Sequence, residues 1–308
     1  MGRVSVIIST YSKRRLGFVL DCLESLRKQS LKPDETILVL DPDPDLVEFY
    51  ESQLSNHLEI VVSHKCGLSN ARNAGVVNTT GEIMVFIDDD AVATEDWLKN
   101  LVESYSDPNV VGVGGLIRPL WENGYPTWFP EELNWVVGCS YKGLPESKSY
   151  VRNPIGCNMS FRKAVFEKVG YFRSDVGRFG KMLLAGEEPE LSLRILKAIP
   201  NAKIVYDPAA IVYHRVRKDR ARLDYLFRRS FFEGLSKALI INQSTGSEKS
   251  FSAENQYLKY LIVEAIPTRL KKAYKPQSLC QLLVLLLSAT AVFVGFAVGK
   301  SRKQKLRG

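Results

Sequence analysis

Cysteine is scarce in this 308-residue chain, and its five copies, Cys22, Cys66, Cys139, Cys157 and Cys280, show no C-x-x-C spacing. That scatter excludes a zinc ribbon and a disulfide-framed fold, and the thiols read as reduced, in a cytoplasmic compartment. The opening "MGRVSVIIST" lacks a long apolar signal region, and Val6 stands where a myristoylation motif needs Ser or Thr, so nothing there directs secretion or acylation. Acidic residues are missing altogether from Lys271 onward, where eight Lys or Arg lie. The other 34 basic side chains balance the chain's 34 acidic ones, so the formal charge of +8 belongs to the tail and the body is neutral. A neutral body excludes a general nucleic-acid binder, which needs a basic face on its folded domain.

What is present is the composition of a folded protein, 45% hydrophobic and 25% charged, long enough for one large core or two smaller ones. Near the end, "LCQLLVLLLSATAVFVGFAVG" runs from Leu279 to Gly299 with one strong polar interruption, Gln281. As a helix it matches a hydrocarbon core of about 30 Å. Arg269, Lys271, Lys272 and Lys275 precede it, and Lys300, Arg302, Lys303, Lys305 and Arg307 follow. This bracketing favours a membrane anchor facing anionic head groups over a buried core helix, and leaves its orientation open.

Along the first half, strand-like runs alternate with helix-period segments. "VSVII" at 4–8, "TILVL" at 36–40, "EIVV" at 59–62 and "IMVFI" at 83–87 read as strands. Leu16, Val19, Leu20, Leu23 and Leu26 recur at helical spacing, Gly67 opens a helix over "LSNARNAGVVN", and Thr94 is the expected N-cap of "EDWLKNLVESY". Alternation of this kind predicts an α/β fold with a mainly parallel sheet flanked by helices, its ligands bound beyond the carboxyl ends of the strands. Residues 121–141 then gather Trp121, Tyr125, Trp128, Phe129, Trp135 and Tyr141, either as an aromatic plug or as a sugar- or lipid-binding loop. Beyond them the pattern predicts a strand at "GCNMSF", helices at "RKAVFEKV" and "GEEPELSLRILKA", a strand pair "KIVY" and "AIVYH", and a long helix at "LDYLFRRSFFEGLSKALIIN". "NQSTGSEKS" reads as a polar linker.

Asp88, Asp89 and Asp90 follow directly on the apolar "IMVFI". Three adjacent carboxylates at a buried strand end are economically explained by a hard divalent cation, Mg²⁺ or Mn²⁺, that itself holds phosphate oxygens. A solvated turn is the bland alternative.

The chain resembles the family 2 inverting glycosyltransferases of the GT-A fold. The resemblance is carried by "VSVIISTYSKRR", "TILVLD", "GLSNARNAG", the "DDD" after "VFI", "GCNMSFRKAVFEKVGYF" and "GEEPELSLR", in the family's order over about residues 3–235. It implies a UDP-sugar donor bordered by Thr10 and Tyr11, with Asp41 reading the uracil edge and Arg72 supporting the base site. "DPDPD" replaces the family's D-D-G-S, so either Asp41 or Asp43 faces the base. Asp88 would approach the ribose, Asp90 would bind the Mn or Mg cation with Asp89 between them, and His214 would be a metal ligand or diphosphate contact. The family's acidic pair corresponds to Glu187 and Glu188, with Glu188 the base for an acceptor hydroxyl and Glu187 positioning the acceptor. Pro189 puts both in a first helical turn, whose dipole is expected to lower their pKa. Arg194, on nearly the face of Glu187, would hold a carboxylate or diphosphate, and Asn158 is a further supporting position; Glu190 reads as surface. His57 and His64 carry no motif.

The domain organisation implied is a GT-A catalytic domain at 1–241, a linker and membrane-proximal helix at 242–275, a transmembrane or anchoring helix at 276–300 and a basic tail at 301–308. "GEEPELSLR" followed by "RRSFFEG" is most similar to archaeal enzymes that extend dolichyl-phosphate-linked glycans, among them glucosyl-dolichyl phosphate glucuronosyltransferases. The expected acceptor is therefore a lipid-linked saccharide at the cytoplasmic face of the cell membrane. Arg118 or Arg178 would meet the carboxylate of a glucuronate donor. A polyprenyl-phosphate sugar synthase and a non-catalytic membrane-attached nucleotide- or glycan-binding subunit are the alternatives.

Overall fold

The computed structural model describes residues 2–54, 58–175, 186–243 and 252–304. His57, Arg178 and most of the "NQSTGSEKS" linker lie outside the described residues. The chain forms two compact units: Met1–Arg118 with Pro145–Asp175 and Glu187–His214, and Pro119–Leu144 with Val176–Gly186 and Arg215–Gly308.

The first unit begins as the alternation predicts. β1 (Val4–Thr10), α1 (Leu16–Arg27), β2 (Glu35–Leu40), α2 (Pro44–Leu54), β3 (Glu59–Val62), α3 (Leu68–Asn78) and β4 (Ile83–Asp88) follow in chain order. β2 and β4 pair parallel with β1, and β3 pairs parallel with β2; in this register Thr10 faces Leu40 and Ser9 faces Asp88. Aliphatic runs covered on both faces suit this arrangement: Val6, Ile7, Ile8, Ile37, Val39, Met84 and Phe86 are all buried. α3 approaches β1 so closely that a Cβ on Gly75 would lie 2.5 Å from Ile7 Cγ2. Gly67, at φ 114°, makes the turn into that helix.

Beyond β4, antiparallel pairing enters the sheet. After β5 (Ala91–Ala93), α4 (Trp97–Glu103), β6 (Val110–Trp121) and β7 (Ser149–Tyr150) come β8 (Asn158–Arg162), α5 (Lys163–Val169), α6 (Glu187–Ala198) and β9 (Lys203–Val216). β8 runs antiparallel to β4 and β6, and β9 to β5 and β7, giving the order β3-β2-β1-β4-β8-β6-β9-β5. The parallel expectation thus holds for the half built from strand-helix-strand repeats, which end at β4. "KIVY" and "AIVYH" form one continuous strand rather than a pair. Pro208 suggests a break, but the Asp207 carboxylate accepts from Ala209 N–H at 3.0 Å and from Lys148 at 2.8 Å, securing the backbone there. Thr94 is not the side-chain cap of α4: its hydroxyl donates to the Ile211 carbonyl at 3.1 Å.

In the second unit, α7 (Leu223–Gln243), α8 (Ser252–Tyr260), α9 (Ile266–Lys271) and α10 (Pro276–Gln304) are helical, with a π-helical turn at Leu261–Ala265 joining α8 to α9. The aromatic segment packs within this unit. Phe129 is buried against Trp121, Tyr125 and Trp128, and Trp135 donates its indole N–H to Tyr257 at 3.3 Å. Glu132 pairs with Arg269 and its backbone carbonyl accepts from Tyr257 at 2.7 Å. These contacts fit the packing alternative for the segment.

Candidate active site

The carboxyl ends of β1 and β4 are adjacent by register, which brings Thr10 beside the aspartates that follow β4. Thr10, Asp89 and Asp90 are buried, whereas Asp88 is partly open and Tyr11 is exposed. Arg15, in a 3-10 turn at Lys13–Arg15, compensates the two buried carboxylates. Its guanidinium grips Asp89 with Nε at 2.5 Å and with Nη2, and the same Nη2 lies 2.7 Å from Asp90. Its face also sits over the Tyr11 ring at 5.2 Å. Burial alone would raise the Asp90 carboxyl, but His214 and Arg15 together hold it well below the usual carboxylate range. His214 reaches Asp90 because β9 pairs with β5, setting His214 opposite Ala91; its Nε2 is 3.3 Å from Asp90 Oδ1.

A second guanidinium organises the other acids. Arg72 of α3 is buried, and α6 begins with Glu187 and Glu188 beside it. Arg72 Nη1 lies 3.2 Å from Glu188 and 3.6 Å from Glu187, while Nη2 lies 3.7 Å from Asp88 and donates to the Gly156 carbonyl at 3.2 Å. Gly156 lies against this cluster: a Cβ there would stand 1.9 Å from Glu188 Oε1, so a larger residue would displace that carboxylate. Burial and the neighbouring Glu187 charge push the Glu188 carboxyl up to about 7, against the pull of Arg72. This reverses the direction expected from the helix dipole: desolvation and like-charge repulsion outweigh a partial charge at the helix end.

Asp88, Cys157 and His214 each offer a donor atom within 4.8 Å of the others. Five carboxylates, Asp88 to Asp90 with Glu187 and Glu188, thus surround two guanidiniums. Fully ionised acids would leave an excess of negative charge, and the carboxylate, thiol and imidazole of Asp88, Cys157 and His214 lie close enough together to hold a divalent cation that would balance it.

The remaining sequence-derived positions separate by their partners. Asp41 accepts from Gly67 N–H at 3.1 Å, and burial raises its carboxyl despite that bond. Asp43 accepts from Asp45 and Leu46 N–H at 3.0 and 3.4 Å at the start of α2, so its carboxylate is engaged there. Asn158 is fully buried: it accepts from the Trp97 indole at 2.8 Å and donates to the Leu116 and Ala210 carbonyls at 3.1 and 2.9 Å. Arg194 pairs with Glu190 at 2.8 and 2.9 Å and donates to the Val169, Gly170 and Tyr171 carbonyls, closing the end of α5. Glu190 is accordingly buried, contrary to the surface position expected for it. Sequence reasoning passed over Arg15 and Cys157. Arg15 was one of three consecutive basic residues, and Cys157 lay inside a recognised motif without a spacing of its own.

A family model described as glycosyl transferase family 2 matches residues 5–170. A glucosyl-dolichyl phosphate glucuronosyltransferase of Haloferax volcanii is 32% identical over 306 residues, covering 96% of each chain. The chain belongs to glycosyl transferase family 2. It is an inverting glycosyltransferase, as the family is. A dolichyl N-acetyl-alpha-D-glucosaminyl phosphate 3-beta-D-2,3-diacetamido-2,3-dideoxy-beta-D-glucuronosyltransferase of Methanococcus voltae is 30% identical over 135 residues, 40% of this chain and 41% of that one. Among solved structures, a mannosyltransferase of Pyrobaculum calidifontis in complex with GDP-Man and Mn²⁺ is similar with a TM-score of 0.62 at 20% identity, covering 97% of this chain and 87% of that one. GalNAc-T7 with UDP, GalNAc and Mn²⁺ gives 0.54 at 16% identity, covering 86% and 56%. The GT-A fold expected from the sequence is the fold observed.

Proposed function

We propose that this glycosyltransferase moves a sugar from a UDP-sugar onto a hydroxyl of a lipid-linked saccharide, with inversion, using a base near neutral pKa. The observation that carries the reading is Glu188, held at about 7 beside Glu187 and Arg72. A carboxylate of that pKa is ionised often enough at neutral pH to take the acceptor's proton, and is basic enough to hold it. A phosphate acceptor would have no use for such a base, which weighs against a polyprenyl-phosphate sugar synthase. Glu187 raises that basicity and positions the acceptor.

The donor half is assigned to the strand ends. Asp41 takes the uracil edge, Thr10 and Tyr11 border the nucleotide, and Asp88 approaches the ribose. Asp90 and His214 would hold Mn²⁺ or Mg²⁺, which when bound neutralises the leaving diphosphate. Asp89, fixed by Arg15, keeps the aspartate run in place. Arg72, between Asp88 and the glutamates, ties donor and acceptor sides together. Asn158 and Arg194 shape the site through backbone carbonyls. The name of the Haloferax volcanii relative supports a glucuronate donor, and that of the Methanococcus voltae relative a substituted glucuronate; Arg118 is the available candidate partner for the carboxylate of either.

The catalytic portion is taken as 1–241, with 276–300 as the membrane-attached element, working at the cytoplasmic face of the cell membrane. The apolar helix and its basic flanks support the attachment. The direct test is calorimetric titration with UDP, with and without Mn²⁺, on wild type and Asp90→Ala. Metal-dependent binding lost in the variant supports the donor site; absence of UDP binding under every condition overturns it.

A further inference from the structure

Pro276–Ser301 of α10 is long and apolar enough to cross a bilayer, yet it is not free to be surrounded by lipid. One face is pressed on α7. Ser230 and Ser288 share a hydroxyl hydrogen bond of 2.8 Å. A Cβ on Gly234 would lie 1.9 Å from the Val292 carbonyl oxygen, and one on Gly299 would lie 2.6 Å from Ala238 Cβ. The contact positions rise together in both helices, so α7 and α10 run parallel. At the start of α10, Gln281 donates to the Thr127 carbonyl at 2.8 Å. From 281 to 299 a helix advances about 27 Å, almost the whole thickness of a hydrocarbon core.

Along the same length α7 is charged. Arg229 and Lys237 pair with Glu233 at 2.8 and 3.1 Å, Lys237 reaches Glu254 at 2.6 Å, and Arg228 is exposed. A transverse α10 would carry these charges to the bilayer centre, where they are strongly unfavourable. The uncovered face of α10 is different: Leu283, Leu286, Leu287, Phe293 and Val294 are 45–70% exposed and fall on one stripe at helical spacing. Lys271, Lys272 and Lys275 with the exposed Tyr274 precede it, and Lys300 follows, the residue types that sit at head-group level.

We infer that α10 lies in the plane of an anionic membrane surface, its Leu283–Val294 stripe among the acyl chains and α7 on its aqueous side, so that both of its ends stay on one side. This rests on the membrane-attachment reading above. It predicts that the full-length protein, added outside sealed vesicles of phosphatidylglycerol and phosphatidylcholine, binds with its carboxyl end accessible. In a Cys280→Ser background, the exposed Cys66 and an introduced Ser301→Cys are both labelled by a membrane-impermeant maleimide without detergent. Leu287→Glu with Phe293→Glu weakens vesicle partitioning at least tenfold and leaves UDP binding unchanged. A second experiment inserts the protein during synthesis into sealed membranes, with the same labelling readout. Ser301→Cys protected there until detergent is added, with Cys66 accessible, overturns the in-plane placement and leaves membrane attachment standing. Failure to bind vesicles or membranes at all overturns both.

Discussion

Glu188 shares one guanidinium with Glu187 and Asp88, and this sharing sets its chemistry. A base with a pKa of about 7 is neutral below it and competent above it. The kcat/KM profile of the free enzyme is therefore expected to rise about tenfold per pH unit up to roughly 7 and then flatten. Because the Glu187 charge raises Glu188, Glu187→Gln should move the inflection to lower pH. Glu188→Gln should cut kcat by roughly 10²–10⁴-fold while UDP affinity, read by calorimetry, is retained. Arg15 makes a different prediction: Arg15→Met leaves Asp89 and Asp90 buried without their common partner. Urea unfolding should show a loss of roughly 3–5 kcal/mol, as for a broken buried ion pair. The aspartate and glutamate runs were legible in the sequence because each cluster is contiguous. Arg15 was not, since its carboxylate partner is 74 residues away and nothing in "KRR" distinguishes the buried arginine from its exposed neighbours. The Glu188 pKa was likewise hidden, because the helix end is visible in the sequence and the burial is not.

At the scale of elements, the parallel β1–β4 half of the sheet was readable from alternating strand and helix periods, while the pairing of the later strands was not. β8 and β9 gain their places from long-range pairing, and Pro208 disguised β9 as two pieces. Asn158 shows how the later strands are joined: one side chain binds α4 and the carbonyls of Leu116 and Ala210. Asn158→Ala orphans these groups, each costing about 1–3 kcal/mol, so a stability loss of roughly 3 kcal/mol is expected in denaturant titration. The α7–α10 seam gives a sharper case. Gly→Ala in a helix interior ordinarily gains about 0.8–1 kcal/mol from propensity. At Gly234 the new methyl would meet a backbone carbonyl of α10, so overpacking of about 1–3 kcal/mol should win and lower the thermal midpoint in detergent solution.

At the scale of the molecule, charge is partitioned: a neutral body and a basic end. Deleting residues 301–308 removes Arg302, Lys303, Lys305 and Arg307. At about 1 kcal/mol per basic residue near an anionic surface, sedimentation with phosphatidylglycerol vesicles should weaken on the order of 10³-fold, with little change on neutral vesicles. The chain passes from one compact unit to the other and back more than once, so neither corresponds to a continuous stretch of gene. That interleaving also imposes an order on synthesis. Glu132 meets Arg269 across 137 residues, so at about 5–20 residues per second the aromatic segment emerges roughly 7–27 s before its helical partners exist. For most of that interval Trp135 lacks Tyr257, the hydrogen-bond partner of its indole, making the nascent chain a client for a chaperone or the membrane surface well before the enzyme is complete.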